Sequence, residues 1–444
     1  MEQLSKQLYQ LRKSGHYVQA LEFYKQQVEP HYTKEQIAQN QYIPAHIMHC
    51  LRKTSQEMQA YRYLFSYLQQ SISSKTMPML VSETGWTLVQ ILNNSKIHSH
   101  IIKTPVFNNI LVHLVLIINS TDNYLLFSQL VFKYLSFLKN EAQVNWILIE
   151  KFCAMFAPEN FNNTINQSPE NSNIKPKNTI TDMEKYFLVY TKALYTNREY
   201  DSCIITCNNA IGRTKNFAPA NKKWILRTKA LAFMQLNDYT QALQILEPLY
   251  NKNTNDAFMA AEIATIYFKT NNVNKAAQFI ATALLTPGRL SYKTGYLKQA
   301  IEILNDVLNA EIIKQHVQLW VLIQISEKRK TDSYLNNLLI QHNINVNQLP
   351  PNITTIFNQL KPVWQSITTQ HKIEGIITRI LNDEKNGSGF ITGHDNKSYY
   401  FTFNKIQKNR KNVAINAKVY FTGITVTHKG IEKLNATDIE ILGY

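Results

Sequence analysis

The sequence predicts a mainly α-helical chain: a solenoid of helical hairpins followed by a small five-stranded β-barrel. Three observations predict it. Helix–turn–helix units recur, each with a turn residue, a small residue and larger apolar residues in fixed order. A polar, Asn- and Pro-rich stretch interrupts the helical pattern once. Beyond residue 371 the apolar period changes from that of helices to the alternation of strands, punctuated by Gly, Asn and Asp.

The repeats come first. ALAFMQLNDYTQALQILEPL carries Tyr239, Ala242 and Leu246, and ATIYFKTNNVNKAAQFIATAL carries Val273, Ala276 and Ile280. Tyr239 and Val273 lie 34 positions apart. KALYTNREYDSCIITCNNAI, with Tyr200, Cys203 and Cys207, stands 39 positions earlier. Each unit reads as two antiparallel helices. Ala242 or Ala276 lets the second helix approach the first, Phe233 and Tyr267 fill the gap, and Pro287 lies just past a second helix. A hairpin of this kind cannot bury its face alone, so neighbours stack. These residues resemble the tetratricopeptide repeat family, which implies a groove for a protein segment. The chain departs from that pattern at Cys203, where the family has alanine, and at Asn237 and Asn271, where it has a turn glycine. Asparagine tolerates the left-handed geometry such a turn needs. LRKSGHYVQALEFYKQ, with Gly15, Tyr17, Ala20 and Tyr24, is a similar unit, and LRKTSQEMQAYRYLFS, with Ala60, a fainter one. From 78 to 157 the pattern stays helical, with Trp86, Phe132, Leu135 and Trp146 on apolar faces.

These patterns divide the chain into a divergent helical domain at 1–157, a flexible linker at 158–181 and a solenoid at 182–345. A Pro-marked junction with one short helix follows at 346–370, and a barrel at 371–444. HKIEGIITRILNDEKNGSGFITG, KSYYFTF, NAKVYFTGITVT and ATDIEILG supply the strands. A module this small fits a Greek-key barrel of the OB type.

The barrel segment resembles a cold-shock domain over residues 371–443. Asn386, Gly387, Ser388, Gly389, Phe390 and Ile391 stand where that family has its first nucleic-acid motif. Tyr399, Tyr400, Phe401, Thr402 and Phe403 match its second motif, and KVYF at Lys418–Phe421 and HKGIEKLNA at His428–Ala436 match its later strands. Alternation sends Ile391, Tyr399 and Phe401 inward and Ser388, Phe390, Tyr400 and Thr402 outward, with Phe403 expected beside them at the strand end. The resemblance implies a platform on which bases stack. Phe390, Tyr400 and Phe403 are retained from it. Arg379, Ser388 and Thr402 replace rings, so weaker and less selective binding is expected than in a complete cold-shock protein. Arg379, Lys385, Lys408, Arg410 and Lys411 are the expected phosphate contacts.

Charge agrees with such a partner: 47 Lys and Arg against 31 Asp and Glu give +16. A surplus of that size favours nucleic acid first and a membrane surface second. A Lys- and Asn-rich composition also fits an AT-biased genome. Cys50, Cys153, Cys203 and Cys207 read as structural thiols, since no Cys/His set has zinc-site spacing. The first residues lack the apolar core of a signal peptide, and ILVHLVLII is too short to span a bilayer. A cytoplasmic, non-membrane setting is expected. No phosphate-cradling glycine loop or nucleophile elbow is present, and the short histidine pairs His46/His49 and His98/His100 lack a carboxylate at matching spacing. The reading is a non-enzymatic adaptor, without cofactor or metal. It would bind a protein partner in its groove and single-stranded nucleic acid, RNA ahead of DNA, on its barrel. Bacterial RNA regulation or nucleic-acid-linked defence are the settings by analogy. The alternative is a pure scaffold or a non-catalytic complex subunit whose barrel is a docking module.

Overall fold

A left-handed turn residue, followed five positions later by a buried small side chain, recurs through the helical part of the computed structural model. Gly15, Ser55, Arg198, Asn237 and Asn271 have φ of 79°, 57°, 69°, 60° and 58°. Ala20, Ala60, Cys203, Ala242 and Ala276 follow, each with no exposed surface. Four residues further on stand Tyr24, Leu64, Cys207, Leu246 and Ile280, all buried. The turns close as Schellman motifs: backbone N–H groups of His16, Gln56, Glu199 and Asn272 donate to the carbonyls of Leu11, Leu51, Leu194 and Tyr267 at 2.8–2.9 Å. Asn271 ends one helix in this way, and Asn272 starts the next by accepting the Lys275 N–H. The asparagines expected to replace glycine therefore do so, and Ser55 and Arg198 take the same conformation.

All residues are described except 41, 69–77, 122, 162–179, 214–216, 253–255, 306, 351, 370–372, 383–386, 429–430 and 444. Most of the expected linker lies outside the described residues. The chain separates into two compact units, Met1–Leu236 and Asn237–Tyr444.

In the first unit the hairpin Glu2–Lys13 with Tyr17–Phe23 is followed by Ile43–Lys53 with Glu57–Leu68. One continuous core then runs from Ala45 to Ala232. It crosses the expected boundary at 157–181. Phe161 stacks on Tyr186 at 4.5 Å, and the Tyr186 hydroxyl donates to the Phe156 carbonyl at 3.1 Å. Phe161 in the Asn-rich stretch and Tyr186 in the helix after it thus belong to one core. Glu184 ties the same region together. It is buried, its Oε2 accepts the Thr181 N–H at 2.9 Å, and its Oε1 accepts the Ala218 N–H at 2.6 Å. Glu184→Ala leaves two backbone donors unmet, each costing about 1–3 kcal/mol when buried. The first unit should lose about 2–4 kcal/mol in urea unfolding, whereas substitution of exposed Glu2 should leave the midpoint unchanged.

The second unit carries the helical pair Ala257–Lys269 and Val273–Leu285 and ends its helices with Ile353–Thr369. That last helix is no short junction. It spans 17 residues and buries Trp364 completely, packing on Val273–Leu285 and on Ala310–Ser326.

The strands are β1 (Ile373–Asn382), β2 (Ser388–Gly393), β3 (Ser398–Thr402), β4 (Ile406–Lys408), β5 (Lys418–His428) and β6 (Ile431–Gly443). Their order is β3-β2-β1-β5-β6-β4, and a parallel β3–β6 pairing closes the ring. Five strands make the closed barrel, and β4 is a three-residue addition on β6. Ile377, Ile391, Tyr399, Phe401, Val419, Phe421, Ile439 and Ile441 fill it. Gly389 lies on the wall where space is least: a Cβ there would sit 2.8 Å from the Phe401 ring and closer still to the Arg379 carbonyl.

Candidate nucleic-acid interface

Register decides which side chains share the outer face of β1, β2 and β3. Phe390 on β2 opposes Tyr400 on β3, and both are half-buried. Their rings meet edge to face, with centroids 5.6 Å apart and planes at 65°. A bulge in β1 between Ile377 and Arg379 shifts the strand so that exposed Arg379 opposes Phe390. The bulge is supported locally. Thr378 donates to the Phe390 carbonyl at 3.4 Å and receives a hydrogen bond from the Thr392 hydroxyl at 3.2 Å. Ser388 and Thr402 oppose each other two pairs further along, on the same face. The face therefore offers two rings, one guanidinium and a set of small hydroxyls. Flat rings accept bases of any sequence, and a guanidinium can stack or meet phosphate.

Phe403 does not belong to this face. It is buried in the barrel, its ring stacked on Phe401 at 5.9 Å with planes at 19°. Alternation explains the correction. Tyr399, Phe401 and Phe403 are each two residues apart, and the Phe403 N–H still donates to the Gly387 carbonyl at 2.8 Å. The ladder holds past the assigned end of β3, so the third residue of the series also points inward.

The basic segment after Phe403 is anchored elsewhere. Ile406 is buried and pairs with Ile439, and the Asn409 side chain donates to the Ile441 carbonyl at 2.7 Å. Arg410 and Lys411 follow in an exposed 3₁₀ turn. Tyr400 pairs with Asn435 of β6, four residues before Ile439. Asn409 is anchored at Ile441, further still along β6, so at an extended rise of about 3.3 Å per residue these cations start roughly 20 Å along the barrel from the ring pair. Lys385 lies outside the described residues, as does the side chain of Lys408.

Two buried acid–base sets were not legible from local spacing. Glu83 accepts from His49 Nδ1 at 2.8 Å and from Arg52 at 2.9 Å. Glu57 meets His98 Nε2 at 3.2 Å and accepts from Asn94 at 2.8 Å. Each carboxylate reaches its histidine from another helix, more than thirty residues away in sequence. Burial alone would raise the Glu83 carboxyl, but the hydrogen bonds from His49 and Arg52 outweigh it and hold it below the ordinary range. All four cysteines are free and buried, and burial pushes the Cys50 and Cys153 thiols up to about 12. That is the opposite of what a reactive thiolate needs. Among the described residues no group of His, Cys, Asp and Glu could hold a metal ion, and no single helix is long and apolar enough to cross a membrane.

No family model and no curated protein matches the chain. Two solved structures are similar over long spans at low identity. One, from a functional characterisation of Pseudomonas aeruginosa pilF, is 10% identical, with 68% of this chain and 97% of that chain covered and a TM-score of 0.30. The other, of the APC/C hetero-tetramer Cut9-Hcn1, is 11% identical, with 83% and 82% covered and a TM-score of 0.29. Likeness at this level carries no conclusion about this chain.

Proposed function

We propose that the chain is a non-enzymatic adaptor that holds a protein partner on its helical repeats and single-stranded nucleic acid, RNA ahead of DNA, on its barrel. One observation carries the nucleic-acid half: Phe390, Tyr400 and Arg379 share one outward face, in register, on neighbouring strands. A five-stranded barrel closed by a parallel β3–β6 pairing supports the reading, since small barrels of the OB type bind oligonucleotides on the face of their middle strands. The formal charge of +16 supports an anionic partner. Arg410 and Lys411, some distance along the barrel, would meet the backbone of a strand that leaves the ring pair. The protein half rests on the repeat architecture, since stacked hairpins present an extended surface suited to a chain segment. The proposed setting is cytoplasmic, in RNA regulation or nucleic-acid-linked defence.

Two stacking rings are worth about 1–3 kcal/mol each. Phe390→Ala/Tyr400→Ala should therefore weaken binding of mixed-sequence single-stranded RNA by about 30-fold or more. Arg379→Ala should weaken it less and flatten its salt dependence. The measurement is fluorescence anisotropy at two salt concentrations. Binding no better than that of an unrelated basic protein, or a double variant with wild-type affinity, sinks the reading and leaves the barrel as a docking module.

A further inference from the structure

Arg12 is a cation of the first unit that the helices enclose without a hydrogen-bonded acceptor. Its side chain is 19% exposed, yet the nearest carboxylate oxygen, Glu83 Oε1, is 3.8 Å away, beyond hydrogen-bond range. Its Nε is sealed from solvent without a partner. The guanidinium rests 5.6 Å over the Tyr9 ring, a cation–π contact rather than a hydrogen bond. Glu83 accepts from His49 on one oxygen and from Arg52 on the other, and Arg12 stands at ion-pair distance from it without a hydrogen bond. The Arg12 charge is balanced only at a distance, and its buried nitrogen has no acceptor.

The same cluster holds two more unmet nitrogens. Arg52 Nε is sealed and unpartnered. So is Nδ1 of His46, whose residue is only 3% exposed. Burial and the nearby Arg12 charge push His46 down to about 4, so at neutral pH its ring is uncharged and one nitrogen can donate. Two arginines face one carboxylate, which leaves a positive surplus. Flat surface lies beside it: Tyr42, 47% exposed, stacks on His46 with planes at 20°, and Tyr9 is 38% exposed. The three elements that build the cluster are Glu2–Lys13, Ile43–Lys53 and Pro78–Asn93.

We propose that Arg12, Arg52 and His46 form a binding site for a phosphate monoester carried next to an aromatic base, as in a free nucleotide or at the 5′ end of a strand. A phosphate brings three acceptor oxygens to three unmet nitrogens, and arginine forks match its geometry. A carboxylate brings only two and has no use for the rings. Tyr9 and Tyr42 both pack on the His46 ring and turn to stack on the base. Glu83 orients Arg52 and His49 and leaves Arg12 to the ligand. This site does not depend on the barrel.

Calorimetry on the full chain tests it, with adenosine 5′-monophosphate, adenosine and a matched pair of oligonucleotides bearing a 5′-phosphate or a 5′-hydroxyl. The monophosphate should bind at least tenfold tighter than adenosine and raise the melting temperature of the wild type. Arg12→Gln should weaken it at least tenfold and Arg12→Lys less, whereas Phe390→Ala/Tyr400→Ala should leave it unchanged. A response to the phosphorylated oligonucleotide alone identifies a strand end as the ligand, and an equal response to the monophosphate identifies a nucleotide. Equal binding of monophosphate and adenosine, or no stabilisation of the wild type by either phosphorylated probe, overturns the proposal. The wild-type melting shift needs no variant, so misfolding of Arg12→Gln does not blunt the test.

Discussion

Trp364→Ala should be the most damaging single change in the second unit, lowering its unfolding free energy by about 3–5 kcal/mol. The indole is completely buried on Ile353–Thr369 and meets Phe357 edge to face at 5.3 Å. Its Nε1 donates to His316 Nε2 at 2.9 Å, and His316 Nδ1 donates to the Ile312 carbonyl at 2.8 Å. Both ring nitrogens of a neutral histidine are thus used, one as acceptor and one as donor. Removing the indole opens a cavity and leaves the acceptor unmet. Trp364→Phe keeps most of the volume and loses the hydrogen bond, so it should cost about 1–3 kcal/mol.

The same pair predicts acid sensitivity. Burial pushes His316 down to about 4, against a weaker opposing effect of the Ile312 hydrogen bond. The unfolded chain, with an ordinary histidine near 6.5, binds the proton more readily. Stability is therefore complete above about pH 6.5 and falls as the pH drops toward 4, by about 3 kcal/mol over that interval. Lys293, 5.3 Å over the Phe357 ring, is likewise pushed down by burial. Urea midpoints between pH 7.5 and 4.5 check this. His316→Gln should be less stable at pH 7.5 and show a flatter dependence below pH 6.5. An unchanged slope would place the sensitivity elsewhere, with His46 of the first unit the next group to replace.

The hairpins were legible because their geometry is local. A left-handed residue and a small residue five places later are set by the turn and the first helical turn after it. Ser55 and Arg198 escaped notice since neither is a habitual left-handed residue, and only the spacing to Ala60 and Cys203 marks them. The barrel was legible for the same reason as its inner face, a period of two through Tyr399 and Phe401. What sequence hid is what comes from other helices. Glu83 on His49, Glu57 on His98 and Trp364 on His316 join residues 34, 41 and 48 positions apart. No local spacing encodes such pairs. The extent of the first core was hidden too, because Phe161 docks on Tyr186 at the edge of a stretch whose composition reads as linker.

Phe403 shows how a resemblance can override a period that the chain states plainly, and its replacement separates the two. Phe403→Ala should cost the barrel about 3–4 kcal/mol, because the ring fills the interior beside Phe401, Ile406 and Ile439. Phe403→Leu keeps much of the volume and should cost about 1 kcal/mol. Phe390→Ala removes a half-buried outer ring and should cost no more than about 1 kcal/mol of stability while weakening RNA binding. Stability and binding should thus move in opposite positions. The Phe403 variants, measured at a temperature where they remain folded, should bind single-stranded RNA with nearly wild-type affinity per folded molecule. Phe390→Ala and Tyr400→Ala should melt far closer to the wild type than Phe403→Ala does and lose affinity. If Phe403→Leu instead melts like the wild type and loses binding, the ring serves the outer face. The inward series would then end at Phe401, and the stacking platform would have three members. If both classes of variant bind alike, the barrel contributes no stacking, and charge alone carries whatever affinity is measured.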